Sequence, residues 1–376
     1  MSAETLNFTN SSTECSIRTE IPVTTRMNIA PAATLTPEEL MLLYADDTGL
    51  NALFFILILL ELILGTSGNT LVIAAVLINK KLRKIQYVFV LNLAVADLFV
   101  SACLNGMHLM SISSYGKYFE VGSRCEVIGL LCTFGCATSL YSIAAVALNR
   151  YTSICHRLAY PTVFSKKTVP MLVACTWLVG VCAEAISWAS KGFLNRIVPE
   201  LFICMSSLHL QSSTVSQAIV FWFAGFGFPL GLIVFSYLRI WLYNRASKKT
   251  LRDISGNGSS RPKVLTNTDR RLLRTLLTLV VAVLLLLGPF YLIFTFKVAV
   301  PRVILILTFA MFHLNSSINC ILYALINRDF RRGYRGVVDR CRRLVDRVRH
   351  VGCLRRNTNS DVYVISGDQT TDHLRT

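Results

Sequence analysis

Residues 127–149 read VIGLLCTFGCATSLYSIAAVALN, and Arg150 and Tyr151 follow directly. The stretch has no acidic or basic side chain, and about 20 such residues in a helix span the hydrocarbon core of a bilayer. Arg150 stands where this helix would leave the membrane, so its long side chain can reach the interface. Taken alone, an Arg in this place indicates an anchoring cation. The other apolar segments also carry polar residues, however, and together these indicate one shared architecture.

The composition indicates a membrane protein. The chain has 376 residues, of which 53% are hydrophobic and 16% are charged, whereas about a quarter of the residues in a soluble protein are charged. Seven apolar segments reach spanning length: residues 51–78, 86–111, 122–155, 168–190, 212–243, 270–296 and 301–326. Because backbone groups in lipid must bond within their own segment, the sequence predicts an all-α membrane protein, a bundle of seven transmembrane helices.

Lys and Arg concentrate in alternate connections. They are frequent after the first, third and fifth segments and in the carboxyl-terminal tail, and they are sparse in the other connections. The positive-inside rule therefore places the tail in the cytoplasm and the amino terminus outside the cell. Much of the net charge of +17 then faces anionic lipid and a cytosolic partner, so nucleic acid is not needed to explain it.

Three regions follow from this orientation. Residues 1–50 are predicted to form an extracellular tail that is glycosylated at the sequons of Asn7 and Asn10. Residues 51–327 form the seven-helix domain. Residues 328–376 are predicted to begin with a short amphipathic helix, at about 328–338, on the inner membrane surface and to continue as a disordered tail. Cys341 and Cys353 are palmitoylation candidates in this region.

Asp97 lies in the middle of the second segment, where a carboxylate is costly and indicates a function with a specific partner. Its candidate partners are oxygen-bearing side chains of the third and seventh segments: Ser139, Asn315, Ser316 and Asn319. Such a cluster can hold an allosteric sodium ion, or it can be a purely structural centre of hydrogen bonds. Both alternatives stay open at this stage.

The 12 cysteines lie mostly inside apolar segments, and no CxxC pair or Cys/His cluster shows the spacing of a metal site. Most of them are therefore predicted to be small buried hydrophobic residues, and no metal is expected. Cys125 and Cys204 stand at the oxidising outer face. This placement predicts a disulfide between the third segment and the long connection after the fourth.

A further set of residues is distributed over all seven segments. It comprises Gly68-Asn69, residues 93–97 (LAVAD), Cys125, Asn149-Arg150-Tyr151, Trp177, Pro229, Tyr237, Pro289 and residues 319–323. In order and spacing, this set resembles the rhodopsin-like family of G-protein-coupled receptors over about residues 51–335. Within that family the chain looks most like melatonin receptors, because NRYTSICHRLAY at residues 149–160 is similar to their NRYCYICHSLKY.

The resemblance implies a ligand pocket in the outer half of the bundle. Its candidate residues are Cys132, Cys136, Asn195, Phe221, Gly225, Leu287, Tyr291 and His313. Apolar walls favour a small lipophilic ligand. Melatonin receptors have a His in place of Gly225 and a Trp in place of Leu287, which disfavours melatonin itself.

Two other ligand classes are disfavoured at single positions. Cys132 replaces the Asp of amine receptors, so a monoamine is not expected. His313 replaces the Lys of opsins, so retinal is not expected, and a hydrogen-bonded structural role is the preferred interpretation of this His.

The resemblance also implies a function: a receptor at the plasma membrane that activates a heterotrimeric G protein of the inhibitory type and is then bound by arrestin. Arg150 would pair with Asp269 at rest, and the sixth helix would swing about Pro289 on activation. The residues implied in coupling are Asn149, Arg150, Tyr151, Tyr237, Asp269, Asn319 and Tyr323. The alternative is an orphan receptor that signals constitutively or through heterodimers. The sequence carries no enzyme motif and no inverted repeat of a transporter.

Overall fold

The computed structural model describes residues 37–120, 124–189, 195–206, 221–254, 267–296 and 298–364. The regular elements in chain order are α1 (Pro37–Ala45), α2 (Thr48–Ile78), α3 (Val88–Phe99), α4 (Asn105–Ser113), α5 (Lys117–Glu120), α6 (Arg124–Cys155), α7 (Tyr160–Val163), α8 (Thr168–Ala189), β1 (Asn195–Val198), β2 (Ile203–Ser206), α9 (Phe228–Ile254), α10 (Asn267–Thr295), α11 (Arg302–Ile326) and α12 (Arg328–Val364). A π-helical turn, Val100–Leu104, joins α3 to α4, and another, Phe221–Gly227, precedes α9.

The helices match the predicted membrane spans. Within the described residues, five are long and apolar enough to cross a bilayer: Thr48–Ile78, Ile85–Ser113, Arg124–Cys155, Gly225–Ala246 and Arg302–Leu325. Two shorter apolar helices, Thr168–Cys182 and Val281–Phe294, lie at the fourth and sixth predicted spans. The prediction of an all-α bundle of membrane-spanning helices is confirmed.

Helix α2 shows how one sequence serves lipid and bundle at once. Its buried residues recur every three or four positions and form one stripe: Asn51, Phe54, Ile58, Glu61, Gly65, Asn69, Val72, Ala75 and Val76. Large apolar side chains on the other side stay exposed: Leu53, Ile56, Leu60, Ile63 and Leu64. In lipid an exposed apolar face carries no hydrophobic penalty, so the helix is stable only in a membrane.

Helix α6 lies at the centre of the bundle and packs against α3, α8, α9 and both strands. Small residues allow this close approach. A Cβ atom on Gly135 of α6 would lie 3.0 Å from side-chain atoms of Phe99 and Val100, and one on Gly180 of α8 would lie 3.1 Å from the main-chain oxygen of Phe134. Such small-residue contacts are the usual means of packing helices tightly in lipid.

A two-stranded antiparallel hairpin covers the outer end of the bundle, with Val198 paired to Ile203. The predicted disulfide is present and joins Cys204 of β2 to Cys125 of α6. Residues 201–204 are completely buried. Phe202 has a φ of 53°, a strained value for a non-glycine residue, and its main-chain oxygen accepts a hydrogen bond from Ser111.

Arg302, at the start of α11, ties the hairpin to the first two helices. Its Nε donates to the Glu200 main-chain oxygen at 2.7 Å, and its Nη2 donates to Asn51 Oδ1 at 2.5 Å. Its Nη1 lies 3.6 Å from Asp47 Oδ2, and its guanidinium lies 5.0 Å from the centre of the Tyr44 ring. Residues 44–51, the hairpin and the start of α11, which are distant in sequence, thus meet at one cation.

The predicted end of the amphipathic helix is wrong, because α12 extends from Arg328 to Val364 instead of ending near residue 338. Helix α1 lies within the region predicted as the amino-terminal tail. Arg and apolar residues continue to alternate with helical spacing past residue 338, which keeps an amphipathic helix favourable. The start of α12 is anchored because buried Phe330 stacks on Tyr323 at 5.1 Å.

The predicted modification sites are only partly within the described residues. Cys341 is exposed on α12. Cys353 belongs to the same helix, but its side chain lies outside the described part of the chain. Asn7 and Asn10 lie outside the described residues. Glycosylation and palmitoylation stay predictions.

Candidate functional site

Asp97 is completely buried between α3, α6 and α11. Ser139 Oγ donates to its Oδ1 at 2.6 Å, and Asn319 Nδ2 donates to its Oδ2 at 2.7 Å. Three helices that the sequence separates by 42 and 222 positions are therefore joined at one carboxylate. Ser316 is a third neutral hydrogen-bonding side chain at this carboxylate. Neutral donors do not neutralise a buried charge, so this site favours a proton or a cation beside Asp97.

The remaining predicted partners border a small cavity next to this carboxylate. Asn315 and Ser316 line it together with Ser139, and its water-accessible volume is about 10 Å³. The Oδ1 atoms of Asn315 and Asn319 are buried and have no hydrogen-bond partner. Unused oxygen acceptors beside a carboxylate are the ligand type that a hard cation needs, so the residues fit the predicted sodium ion.

Asn92 forms a second polar centre that sequence reasoning missed. Its Nδ2 donates to Ser142 Oγ at 2.7 Å and to Thr176 Oγ1 at 3.0 Å. Its Oδ1 accepts a hydrogen bond from Trp177 Nε1 at 2.8 Å. The signal for it was an Asn inside the apolar run before Asp97, because an amide in lipid needs partners on neighbouring helices.

Glu61 is a second buried carboxyl group that the sequence analysis did not single out. Its side chain is 5% exposed on α2, and its Oε2 atom has no hydrogen-bond partner. Ser317 Oγ of α11 donates to the main-chain oxygen of Glu61 at 3.1 Å. An acid within the run LILLELILG was the available signal.

Arg150 lies near the carboxyl-terminal end of α6, the end predicted to be cytoplasmic, and is only 4% exposed. Its Nη1 donates to Gln86 Oε1 at 3.3 Å, its Nη2 lies 3.5 Å from the Gln86 main-chain oxygen, and its guanidinium lies 5.7 Å from the centre of the Tyr87 ring. Asp269 belongs to α10, but its side chain is outside the described part, so the predicted Arg150–Asp269 pair stays a prediction. The described partners of Arg150 come instead from the short turn before α3.

The other predicted coupling residues surround Arg150. Tyr237 and Tyr323 belong to the same buried cluster, and their hydroxyl groups have no hydrogen-bond partner. Asn149 Nδ2 donates to the Tyr160 hydroxyl at 3.3 Å, and the Tyr151 hydroxyl lies 2.8 Å from His156 Nε2. Asn149 and Tyr151 thus form hydrogen bonds with the segment that follows them, at Tyr160 and His156. The hydroxyl groups of Tyr237 and Tyr323 stay unpaired inside the bundle.

The predicted ligand pocket is closed in this structure. Cys136, Leu287, Tyr291 and His313 line the same cavity of about 10 Å³, whereas ligand sites usually enclose about 300–1,000 Å³. Tyr291 stacks on Phe226 with ring centroids 4.3 Å apart, which fills the space between α9 and α10.

Gly225 and Cys132 are not among the residues that line this cavity. A Cβ atom on Gly225 would meet nothing within 4 Å. The side chains of Asn195 and Phe221 lie outside the described residues. Cys132 lies beside His313 and His108.

The sequence can be compared with known proteins on this basis. The family described as 7 transmembrane receptor (rhodopsin family) matches residues 68–323. The chain belongs to this family of receptors. The match covers most of the chain, and it includes Asp97, Arg150 and Asn319.

The receptor is similar to melatonin receptors over most of its length. It is 28% identical to melatonin receptor type 1C of Xenopus laevis, with 77% of this chain and 68% of that protein covered. It is 29% identical to melatonin receptor type 1A of Mus musculus, with 77% and 80% covered. Squid rhodopsin has the same fold, with a TM-score of 0.64, 20% identity, and 75% of this chain and 84% of that chain covered. The receptor is a multi-pass membrane protein and not an enzyme.

Proposed function

We propose that this receptor couples a small lipophilic ligand to a heterotrimeric G protein of the inhibitory type, at the plasma membrane and with its amino terminus outside the cell. The observation that carries the proposal is the state of Arg150. A permanently charged side chain is buried at the cytoplasmic end, and its described hydrogen bonds go to the neutral residue Gln86. Burial of a charge without a counter-charge is costly. Opening of this end of the bundle, which exposes Arg150 to a partner, would therefore be favourable for this side chain.

Opening of the cytoplasmic end would release the groups that now lack partners. A buried hydroxyl without a hydrogen bond costs about 1–3 kcal/mol, and Tyr237 and Tyr323 each contribute one. Pro289 interrupts α10 and allows that helix to bend. An outward swing of α10 would give Arg150 and both tyrosines access to a G-protein segment, and arrestin would follow on the phosphorylated carboxyl-terminal tail.

The ligand would act through the aromatic packing of the outer half. A cavity of about 10 Å³ holds no more than a water molecule, so a ligand would bind a state in which Tyr291 and Phe312 separate. Differential affinity for that state is what shifts a receptor equilibrium. The likeness to melatonin receptors supports an indole-sized ligand class, while Gly225 and Leu287 argue for a different member of it.

We also propose that a sodium ion beside Asp97 stabilises the closed state. Asp97, Ser139, Asn315, Ser316 and Asn319 would supply its oxygen ligands. Asp97→Asn should remove any sodium dependence of basal signalling, measured with choline as the replacement cation. Sodium dependence that survives in this variant would contradict the site.

Cyclic AMP in cells that express the receptor tests the coupling. Wild type and Arg150→Ala are compared at equal surface expression, with and without melatonin, after forskolin stimulation. A ligand-dependent fall that needs Arg150 supports the proposal and admits melatonin as a ligand. A fall without ligand that needs Arg150 supports inhibitory coupling and assigns the activity to the constitutive alternative, whereas a fall that persists in Arg150→Ala removes Arg150 from the mechanism.

A further inference from the structure

Two buried imidazoles and a thiol converge in the outer half of the bundle. His108 of α4, Cys132 of α6 and His313 of α11 each offer a ligand atom, and these atoms lie within 4.8 Å of one another. His108 is completely buried and His313 is 1% exposed. Their rings meet edge to face with centroids 5.2 Å apart.

The imidazole nitrogens at this point have the Cys132 thiol as their neighbour. Apart from that thiol, neither ring nitrogen of His108 nor Nε2 of His313 has a hydrogen-bond partner among the described residues. Each residue offers one ligand atom to this point, so one nitrogen of each ring lies beside the thiol. Buried polar atoms without a strong partner are unfavourable, and their convergence indicates an absent ligand. Hydrophobic packing does not explain the cluster, because apolar side chains would fill the same space without that cost.

The hydrogen bond between His313 and Asn105 orients the His313 ring for metal binding. Nδ1 of His313 lies 2.8 Å from Asn105 Oδ1. With the amide oxygen as acceptor, Nδ1 carries the ring proton and the lone pair is on Nε2, which has no partner other than the thiol. Histidines that bind metals are usually oriented in this way, by a hydrogen bond from the other ring nitrogen.

We propose that His108, Cys132 and His313 bind a Zn²⁺ ion that ties α4, α6 and α11 together. Imidazole and thiolate are the ligands that zinc prefers, at about 2.0–2.3 Å. Tetrahedral ligand atoms at those lengths lie about 3.5 Å apart, so small side-chain rotations bring the present arrangement to coordination distance. Binding releases the Cys132 thiol proton to solvent, and the thiolate offsets part of the metal charge.

The fourth position has a ligand available on α6. Cys136 lies one helical turn after Cys132, is half-buried and borders the adjacent cavity with His313. Water is the other occupant that chemistry allows at this position. The site could not be predicted from the sequence, because its three ligands come from three helices and lack the short spacing of a zinc motif.

Metal analysis of the purified full-length receptor tests the proposal. Wild type and the control Cys175→Ser, which removes an exposed cysteine of α8, should each retain about one zinc per receptor after washing in metal-free buffer. Cys132→Ser should retain at least about tenfold less, since loss of even an outer partner lowers metal affinity 10- to 100-fold. Asn105→Ala, which keeps all ligands, should weaken zinc by about that 10- to 100-fold factor in a chelator competition.

Equal zinc in wild type and Cys132→Ser would overturn the proposal, and copper in place of zinc would overturn the choice of metal. If Cys132→Ser does not fold, the wild-type receptor is loaded with cobalt and its absorption spectrum tests whether a thiolate binds the metal. A thiolate-to-cobalt absorption band supports the site, and its absence refutes it. These measurements use neither ligand nor G protein, so their result is separate from that of the coupling assay.

Discussion

Gly65→Ala is expected to destabilise the receptor because α2 passes very close to two other helices at this residue. An added Cβ would lie 2.1 Å from Ser101 Oγ, 2.6 Å from Ser101 Cβ and 2.6 Å from Ser317 Oγ. Hydroxyl groups can rotate away, but Ser101 Cβ cannot. Since ordinary contact begins at 3.4 Å, α2 and the π-helical turn would have to separate by most of 0.8 Å.

Overpacking of this kind costs about 1–3 kcal/mol. Ala has a higher helix propensity than Gly, which stabilises the helix by at most about 1 kcal/mol. The net effect of Gly65→Ala on the free energy of unfolding should therefore be destabilising. At about 2–4 °C per kcal/mol for a large domain, the midpoint of thermal unfolding in detergent should fall by several degrees.

Gly106→Ala is the matched control, because it also places a methyl group between α2 and α4. There the nearest atom, on Leu62, is 3.8 Å away, which is an ordinary van der Waals contact. It should leave the unfolding midpoint unchanged or raise it. Ser101→Gly in the Gly65→Ala background should recover part of the loss, as expected for residues in contact. Equal midpoints for Gly65→Ala and Gly106→Ala would refute the close approach of α2.

Three other perturbations test separate parts of the structure. Arg302→Lys should lower the thermal midpoint by the equivalent of about 1–3 kcal/mol, because an ammonium cannot reach Glu200, Asn51 and Asp47 together. A midpoint equal to wild type would show that the simultaneous contacts of the guanidinium do not stabilise the fold. Cys204→Ser should cost about 2–5 kcal/mol and make the unfolding midpoint insensitive to reductant, whereas retained sensitivity would assign the reducible bond elsewhere. Gln86→Ala removes the side-chain acceptor of Arg150 Nη1 and leaves the main-chain contact of Nη2. It should raise basal inhibition of cyclic AMP, and unchanged basal signalling at equal surface expression would exclude the Gln86 side chain from the resting state.

The helices that cross the membrane could be predicted because their signal is local. About 20 consecutive apolar residues are sufficient to define a span, and each span carries that signal itself. The end of α12 was misjudged for a related reason, since its amphipathic pattern weakens gradually and has no clear stop. The disulfide between Cys125 and Cys204 was also predictable, because both cysteines lie on the side that the predicted topology places in an oxidising environment.

The polar contacts show where local signals end. Asp97 could be recognised as functional from its position alone, and Ser139 and Asn319 were among its predicted partners. Gln86 could not be recognised as a partner of Arg150, because a Gln in a cytoplasmic turn has no unusual local property. Asn92 and Glu61 had a usable signal, an uncharged amide and an acid in apolar runs, but not one that identifies their neighbours.

The sequence by itself determined the class of protein, the number and type of its spans and the identity of its costly buried groups, since these depend on short stretches of hydrophobicity and charge. Only the tertiary structure decided which of those groups meet. His108, Cys132 and His313 come together because α4, α6 and α11 pack around one point. In the same way, Arg302 of α11 contacts both residues 44–51 and the hairpin. Rotation and depth of each helix are set by packing against its neighbours, and no single segment contains that information.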